Sequence, residues 1–232
     1  MFVDLPTNTR IYALSAANPK ESSWGTYCSP DDVIQGKHIG SCLGDLFSCK
    51  FVEDSEGDDL TKETLQTQFE KIRALTTLSH VMQWGDVSFT SEPVSDFIGP
   101  SHPSLINLRK PRRSLDNLFW RTSSSMDSRL MKIQILTEIY KREKTSEAEK
   151  EMREEMIDMQ RHDNIFSPLI KRLHLTGDYE PRAMNYECMR SVMDNHTEKC
   201  GRLSDYGLTY AKYYAEACER YSAGRIIEEV QC

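Results

Sequence analysis

The sequence predicts an α/β region followed by an all-helical one. Three observations predict it. An apolar strand, Arg10 to Ala17, stops at Asn18-Pro19; apolar residues recur at helical spacing on both sides of an acidic run; and beyond residue 113 every patterned segment has a helical period. The first region covers residues 1–98. Behind the strand and its Ser-rich loop, Leu43, Leu46, Phe47 and Phe51 fall on one helical face. The acidic run Glu53-Asp54-Ser55-Glu56-Gly57-Asp58-Asp59 is expected to be the turn before a second helix. Thr61 is the expected N-cap of that helix, with Leu60 and Leu65 as a staple at its entry and Leu65, Phe69 and Ile72 as its buried stripe. His80–Trp84 and Val87–Phe89 flank Gly85-Asp86 and read as a hairpin.

Residues 99–113, GPSHPSLINLRKPRR, read as an exposed linker. Its basic cluster, Arg109-Lys110-Pro111-Arg112-Arg113, reads as solvated linker charge, with a nuclear signal or an acid-patch dock as the alternative. Residues 114–232 read as helix. Leu130, Ile133, Leu136 and Tyr140 share one face, and the mixed-charge run Lys141 to Glu155 reads as a water-facing surface. Met152, Met156 and Met159 lie at helical spacing and read as core packing ahead of a pliable binding surface. Tyr186, Met189 and Val192/Met193 form another stripe, and Leu203, Tyr206, Tyr210, Tyr213 and Tyr214 a last, aromatic one.

Composition narrows the function classes. Apolar residues at 38% and charged residues at 28% suit a globular fold with a polar surface. A net charge of −7 argues against a general nucleic-acid binder, whose affinity comes from neutralising phosphates. No stretch approaches the roughly 18 apolar residues of a membrane span, and no basic start precedes an apolar run, so no membrane partner and no signal peptide are expected. Four cysteines, Cys188, Cys200, Cys218 and Cys232, crowd the last quarter without CxxC spacing and read as a two-bridge framework, with no metal or cofactor expected. Asn195-His196-Thr197 is a glycosylation acceptor. Bridges and sequon together point to an oxidising compartment, in conflict with the missing signal.

No complete catalytic set is visible. His80, beside Val81 and Met82, reads as a structural histidine, and Cys49 as a small buried hydrophobe, since no histidine is placed to activate it. The loop after the first strand is more informative. Ser22 and Ser23 present neighbouring hydroxyls where a strand stops, and Asp45 in a later loop offers an acceptor for an amide NH2, the elements of a pocket for a small polar side chain. A plain Ser-rich turn is the competing reading.

Four motifs in order, YALSAANPKESSWGTYC, CLGDLFS, EDSEGDDLTKETL and SHVMQWGD, resemble the second half of the legumain family, the asparaginyl endopeptidases known in plants as vacuolar processing enzymes. The resemblance implies that residues 1–98 are part of a caspase-like domain with an incomplete parallel sheet, and that residues 114–232 are a death-domain-like helical prodomain. It implies that Ser22, Ser23 and Asp45 read Asn, and more weakly Asp, before the cleaved bond, with Trp24 lining neighbouring subsites. It also implies bridges Cys28–Cys42, Cys188–Cys218 and Cys200–Cys232. The family's nucleophilic cysteine, in an E-x-C-x-S-G-S element, and its histidine fall upstream of the position matching Met1, so the chain is expected to be inactive alone. Implied with these are peptide or protein substrates with Asn at the cleavage site, an intramolecular prodomain contact loosened by acid through Glu147, Glu149, Glu151, Glu154 and Glu155, a maturation cut near Asn117, and a vacuolar or lysosomal location. The alternative is a non-catalytic interaction protein whose helical tail caps an intact legumain.

Overall fold

The computed structural model describes residues 2–99, 124–179 and 184–232, and the chain divides into two units, residues 4–128 and 129–232. All described strands belong to the first unit, and the second is helical. Tyr12–Ser15 (β1) ends ahead of Asn18-Pro19, where proline removes a ladder donor. Trp24–Thr26 (β2) is the centre of a three-stranded sheet, with Gly44–Asp45 (β5) on one edge and Met126–Asp127 (β7) on the other. Val33–Ile34 (β3) and Lys37–His38 (β4) form a hairpin inside the insertion that the Cys28–Cys42 disulfide closes. Gln35 and Gly36, both at positive φ, make its turn, and Asp32 braces it by accepting from Gly40 N–H at 2.7 Å and pairing with His38 Nδ1 at 2.6 Å. Met82–Gly85 (β6) is the partner of β1.

Two helices pack beside these strands. Leu46–Gly57 (α1) is capped by Asp45, and Leu65–Leu75 (α2) by Thr64, whose hydroxyl accepts from Thr67 N–H. Phe69 and Ile72 of α2 bury against Val81, with Leu14, Phe47 and Phe51 around them. Leu60, Leu65, Phe89 and Val94 form a second small cluster. Ser95–Ile98 (α3) ends this stretch.

The second unit starts with Met131–Glu143 (α4), which stops at Lys144 in the left-handed region. Thr145 then caps the long helix Ser146–Arg172 (α5). Tyr186–Cys200 (α6), a 3-10 turn at Gly207–Tyr210, Ala211–Arg220 (α7) and Ala223–Glu229 (α8) complete it. One continuous core runs through Phe166, Leu169, Val192, Tyr214, Ala217 and Ile226. The Cys188–Cys218 disulfide joins α6 to α7, and Cys200–Cys232 ties the end of α6 to the C-terminal residue. Glu216 is fully buried and satisfied by the N–H groups of Thr176 and Gly177 and by Arg220. Among the described residues no helix is long and apolar enough to cross a membrane.

Several expectations are corrected. The described ladders are all antiparallel, so the expected parallel sheet is not found among them. β1 has β6 as its partner, and the chain returns to it antiparallel through α1 and α2. Gly85-Asp86 does not make a hairpin. Gly85 takes φ +81°, and the Asp86 carboxylate accepts from Arg10 and Ser88 N–H groups, turning the chain away from the sheet. Thr61 is not the cap of α2, because its hydroxyl donates to Asp59 and the cap is Thr64, three residues later. The acidic run is helical through Gly57 rather than a turn. Met156 is 54% exposed, not core. In α5 the buried positions Ala148, Glu155, His162 and Leu169 recur every seventh residue, and Met156 falls off that face. Glu155, read as water-facing, is buried and paired with Lys132 at 2.5 Å. Residues 124–128, read with the helical region, belong to the first unit through β7.

Candidate functional site

The loop between β1 and β2 is built from its own polar groups. Asn18 Oδ1 accepts from Lys20 N–H at 2.8 Å, and Asn18 N–H donates to Glu21 Oε1 at 3.1 Å. Glu21 also accepts from His80 N–H at 2.7 Å and pairs with His80 Nδ1 at 2.9 Å, which pins the loop to the entry of β6. Burial pushes the Glu21 carboxyl up, but the hydrogen bonds from Asn18 and His80 outweigh it and hold the group below its ordinary value.

Ser22 and Ser23 follow, both half-buried. Ser23 Oγ lies 3.2 Å from Ser128 Oγ, and Ser23 C=O accepts from Ser128 N–H at 3.1 Å. Trp24 opens β2, half-buried and paired with Asp127. Asp45 stands opposite Gly25 in the β2–β5 ladder, and its Oδ1 accepts from Ser48 N–H at 3.2 Å as the N-cap of α1. Ser23 lies directly ahead of β2, two residues before the Gly25 that stands opposite Asp45. Trp24 and Asp45 thus belong to neighbouring strands of one sheet, and Ser22 and Ser23 lie directly ahead of β2.

The chemistry follows from these positions. The second oxygen of the Asp45 carboxylate can accept from an amide NH2. A serine hydroxyl donates to an amide carbonyl.

Cys49 does not extend this set into a nucleophile. It is the free cysteine of the chain, set so close over Gly44 that a Cβ there would come within 2.4 Å of its sulfur. Burial, and then the charge of Glu53, push its thiol up, which suppresses the reactive thiolate. His80 is paired with Glu21, as the structural reading of that histidine expects.

Ser128 and the Glu21–His80 pair were missed by sequence reasoning. Glu21 sits inside a quoted motif, yet nothing local reveals a partner 59 residues away, and Ser128 is 105 residues from Ser23. Asn195 lies in α6, half-buried, with its Oδ1 buried and unpartnered. Asn117 and the cluster Arg109–Arg113 lie outside the described residues.

Residues 1–102 match the Peptidase C13 family. Over 97% of its length the chain is 29% identical to a vacuolar-processing enzyme of Ricinus communis, covering 49% of that protein. It is 28% identical to a vacuolar-processing enzyme of Vicia sativa, over 92% of this chain and 48% of that one. A vacuolar-processing enzyme beta-isozyme of Arabidopsis thaliana is 28% identical over 97% of this chain and 50% of its own. The chain thus spans about half the length of the relatives it matches.

Proposed function

We propose that this chain belongs to the legumain family, Peptidase C13, and carries the substrate-reading part of an asparaginyl endopeptidase together with its helical prodomain. Ser22 and Ser23 donate to the carbonyl of an Asn side chain before the cleaved bond, Asp45 accepts from its NH2, and Trp24 flanks the neighbouring residue. A site whose buried polar groups need an amide rejects side chains that leave them unpaired, by about 10⁴-fold. The single observation supporting this reading is the β2–β5 register, which sets Asp45 opposite Gly25, two residues after Ser23. The thiol and imidazole that perform the cleavage come from residues outside these 232, so the chain alone does not cut. The parent enzyme works in a vacuole, the compartment in the names of the relatives, or in a lysosome, as the family resemblance implies. The caspase-like frame and the death-domain-like form of the helical tail belong to the same proposal.

The position of β7 supports an intramolecular cap. It adds antiparallel to the edge of β2 beside Ser23, the way an extended peptide adds to a sheet edge. A substrate would compete with it for that edge. The second reading, a non-catalytic protein that caps an intact relative, draws on the same feature and on the self-contained core of the helical unit.

The test is a chimera in which residues 1–98 replace the matching segment of an active vacuolar-processing enzyme. The chimera should cleave after Asn, and Asp45→Ala should lower kcat/KM on Asn substrates at least about 100-fold. An active chimera whose Asn preference survives Asp45→Ala would refute the pocket.

A further inference from the structure

Residues 16–23 lie between β1 and β2, so side chains rather than a ladder give this loop its shape. One segment, residues 79–84, reaches the loop and the strand end before it at three points. Ser79 Oγ donates to Ala16 C=O at 2.6 Å, and Trp84 Nε1 donates to Ser15 Oγ at 2.8 Å. These two fix where the loop begins. The third point, Glu21 with His80, fixes where it ends, one residue before Ser22.

Both oxygens of the Glu21 carboxylate are engaged. Oε1 accepts from Asn18 N–H at 3.1 Å and from His80 N–H at 2.7 Å, and Oε2 lies 2.9 Å from His80 Nδ1. Asn18 in turn accepts from Lys20 N–H, so the turn closes on itself and is then tied to the entry of β6. The His80 side chain is 74% exposed, and an ion pair that open to water adds little stability. What the pair fixes is position. The hold on Ser23 is of another kind, because its C=O and hydroxyl are bonded to Ser128, next to β7. A peptide taking the β2 edge in place of β7 removes both contacts. It leaves Glu21 and His80 untouched, since neither lies in β2 or β7.

We propose that Glu21 and His80 are positioning residues for asparagine recognition, setting the backbone from which Ser22 and Ser23 present their hydroxyls while a substrate occupies the β2 edge, an inference that rests on the pocket reading of those serines. Neither residue touches the substrate. A hydroxyl displaced by about 1 Å falls out of hydrogen-bond range of an amide carbonyl, and misplacement on that scale costs up to about 10²-fold. The cleaving groups come from elsewhere, so the loss falls on binding rather than on the chemical step.

The chimera carrying residues 1–98 tests this through its KM. Glu21→Ala should raise KM for an Asn-linked fluorogenic peptide by about tenfold or more, with kcat kept within about threefold. His80→Ala keeps the backbone N–H and should raise KM by only about threefold. His80→Asn, whose side-chain NH2 stands in for Nδ1, should restore most of that loss. A merely structural pair would instead lower the active fraction and leave KM alone. In the full 232-residue chain, Glu21→Ala should quicken amide exchange at Asn18 and His80 by about tenfold, while the thermal midpoint of the first unit falls by no more than about 3 °C. Unchanged KM in Glu21→Ala beside a lost Asn preference in Asp45→Ala overturns the proposal and leaves the pocket standing. An Asn preference that survives Asp45→Ala, with KM still raised in Glu21→Ala, refutes the part given to Asp45 and supports the positioning of the serines. Unchanged exchange at both amides in the full chain overturns the proposal whatever the chimera does.

Discussion

The two units of the chain use their apolar residues differently. The helical unit gathers them into one core, from Ile165 on α5 through Val192 and Tyr214 to Ile226 and Val230, and two disulfides fasten that core. The first unit splits its buried residues into two small clusters and leaves Ile11, Val33, Ile34, Ile39, Phe97 and Ile98 exposed. Its sheets have two or three short strands, and β1 has a single partner among the described residues. Short open sheets with apolar edges are weak alone and invite pairing with other chain. The lesson is that the helical unit rests on one fastened core, while the first unit rests on small separate clusters and short open sheets.

The sharpest contrast comes from core truncation. Phe166, fully buried and stacked on Tyr210 with centroids 4.5 Å apart, should cost the helical unit about 3–5 kcal/mol when changed to Ala. Phe89→Ala, in a four-residue cluster, should cost the first unit about 2 kcal/mol, because a small cluster relaxes around the gap. Denaturant unfolding with separate reporters on the two units measures both, and equal costs would break the comparison. Next in size is the covalent staple. Replacing Cys188 and Cys218 with Ala should destabilise the helical unit by about 3 kcal/mol in the same assay, while leaving the midpoint of the first unit unchanged.

Acid should move the units in opposite directions. Burial, then His162 and Arg161, push His196 down to about 4, and its Nδ1 pairs with the Tyr214 hydroxyl at 2.8 Å. The unfolded chain takes the proton from about pH 6.5 downward and the folded one does not, so the helical unit should lose about 2 kcal/mol by pH 5. Burial, then Glu63, push Asp54 up to about 6. There the folded state takes the proton first, so this group adds stability to the first unit as pH falls from about 6 toward 4. Melting curves across that window check the sign for each unit, and His196→Gln should flatten the helical one. The smallest effects belong to the caps. Thr64→Ala and Thr145→Ala should each cost about 1 kcal/mol in their own unit.

What the sequence revealed was local. The break at Asn18-Pro19, the stripes of α1 and α2 and the helical character after the linker are written in residue type and period, which act within a few residues. Pairings between distant segments are not written that way. Nothing in Met82–Gly85 announces β1 as its partner, and nothing in Met126–Asp127 announces β2, because register is set by the assembled sheet. Thr61 and Thr64 compete for one cap, and a hydrogen bond to Asp59 decides between them. The site divides along the same line. Ser22, Ser23, Trp24 and Asp45 were named from motifs, whereas Ser128 and the Glu21–His80 clamp depend on contacts across the fold.

The central proposal is that this chain supplies groups that read an asparagine side chain while the attacking thiol lies elsewhere. Turnover of an Asn-linked fluorogenic peptide by the purified full chain, from pH 4 to 7 and with and without thiol alkylation, tests it most directly. The account predicts no release above buffer at any pH. Alkylation-sensitive release, lost in Cys49→Ser, would contradict it and make Cys49 the nucleophile.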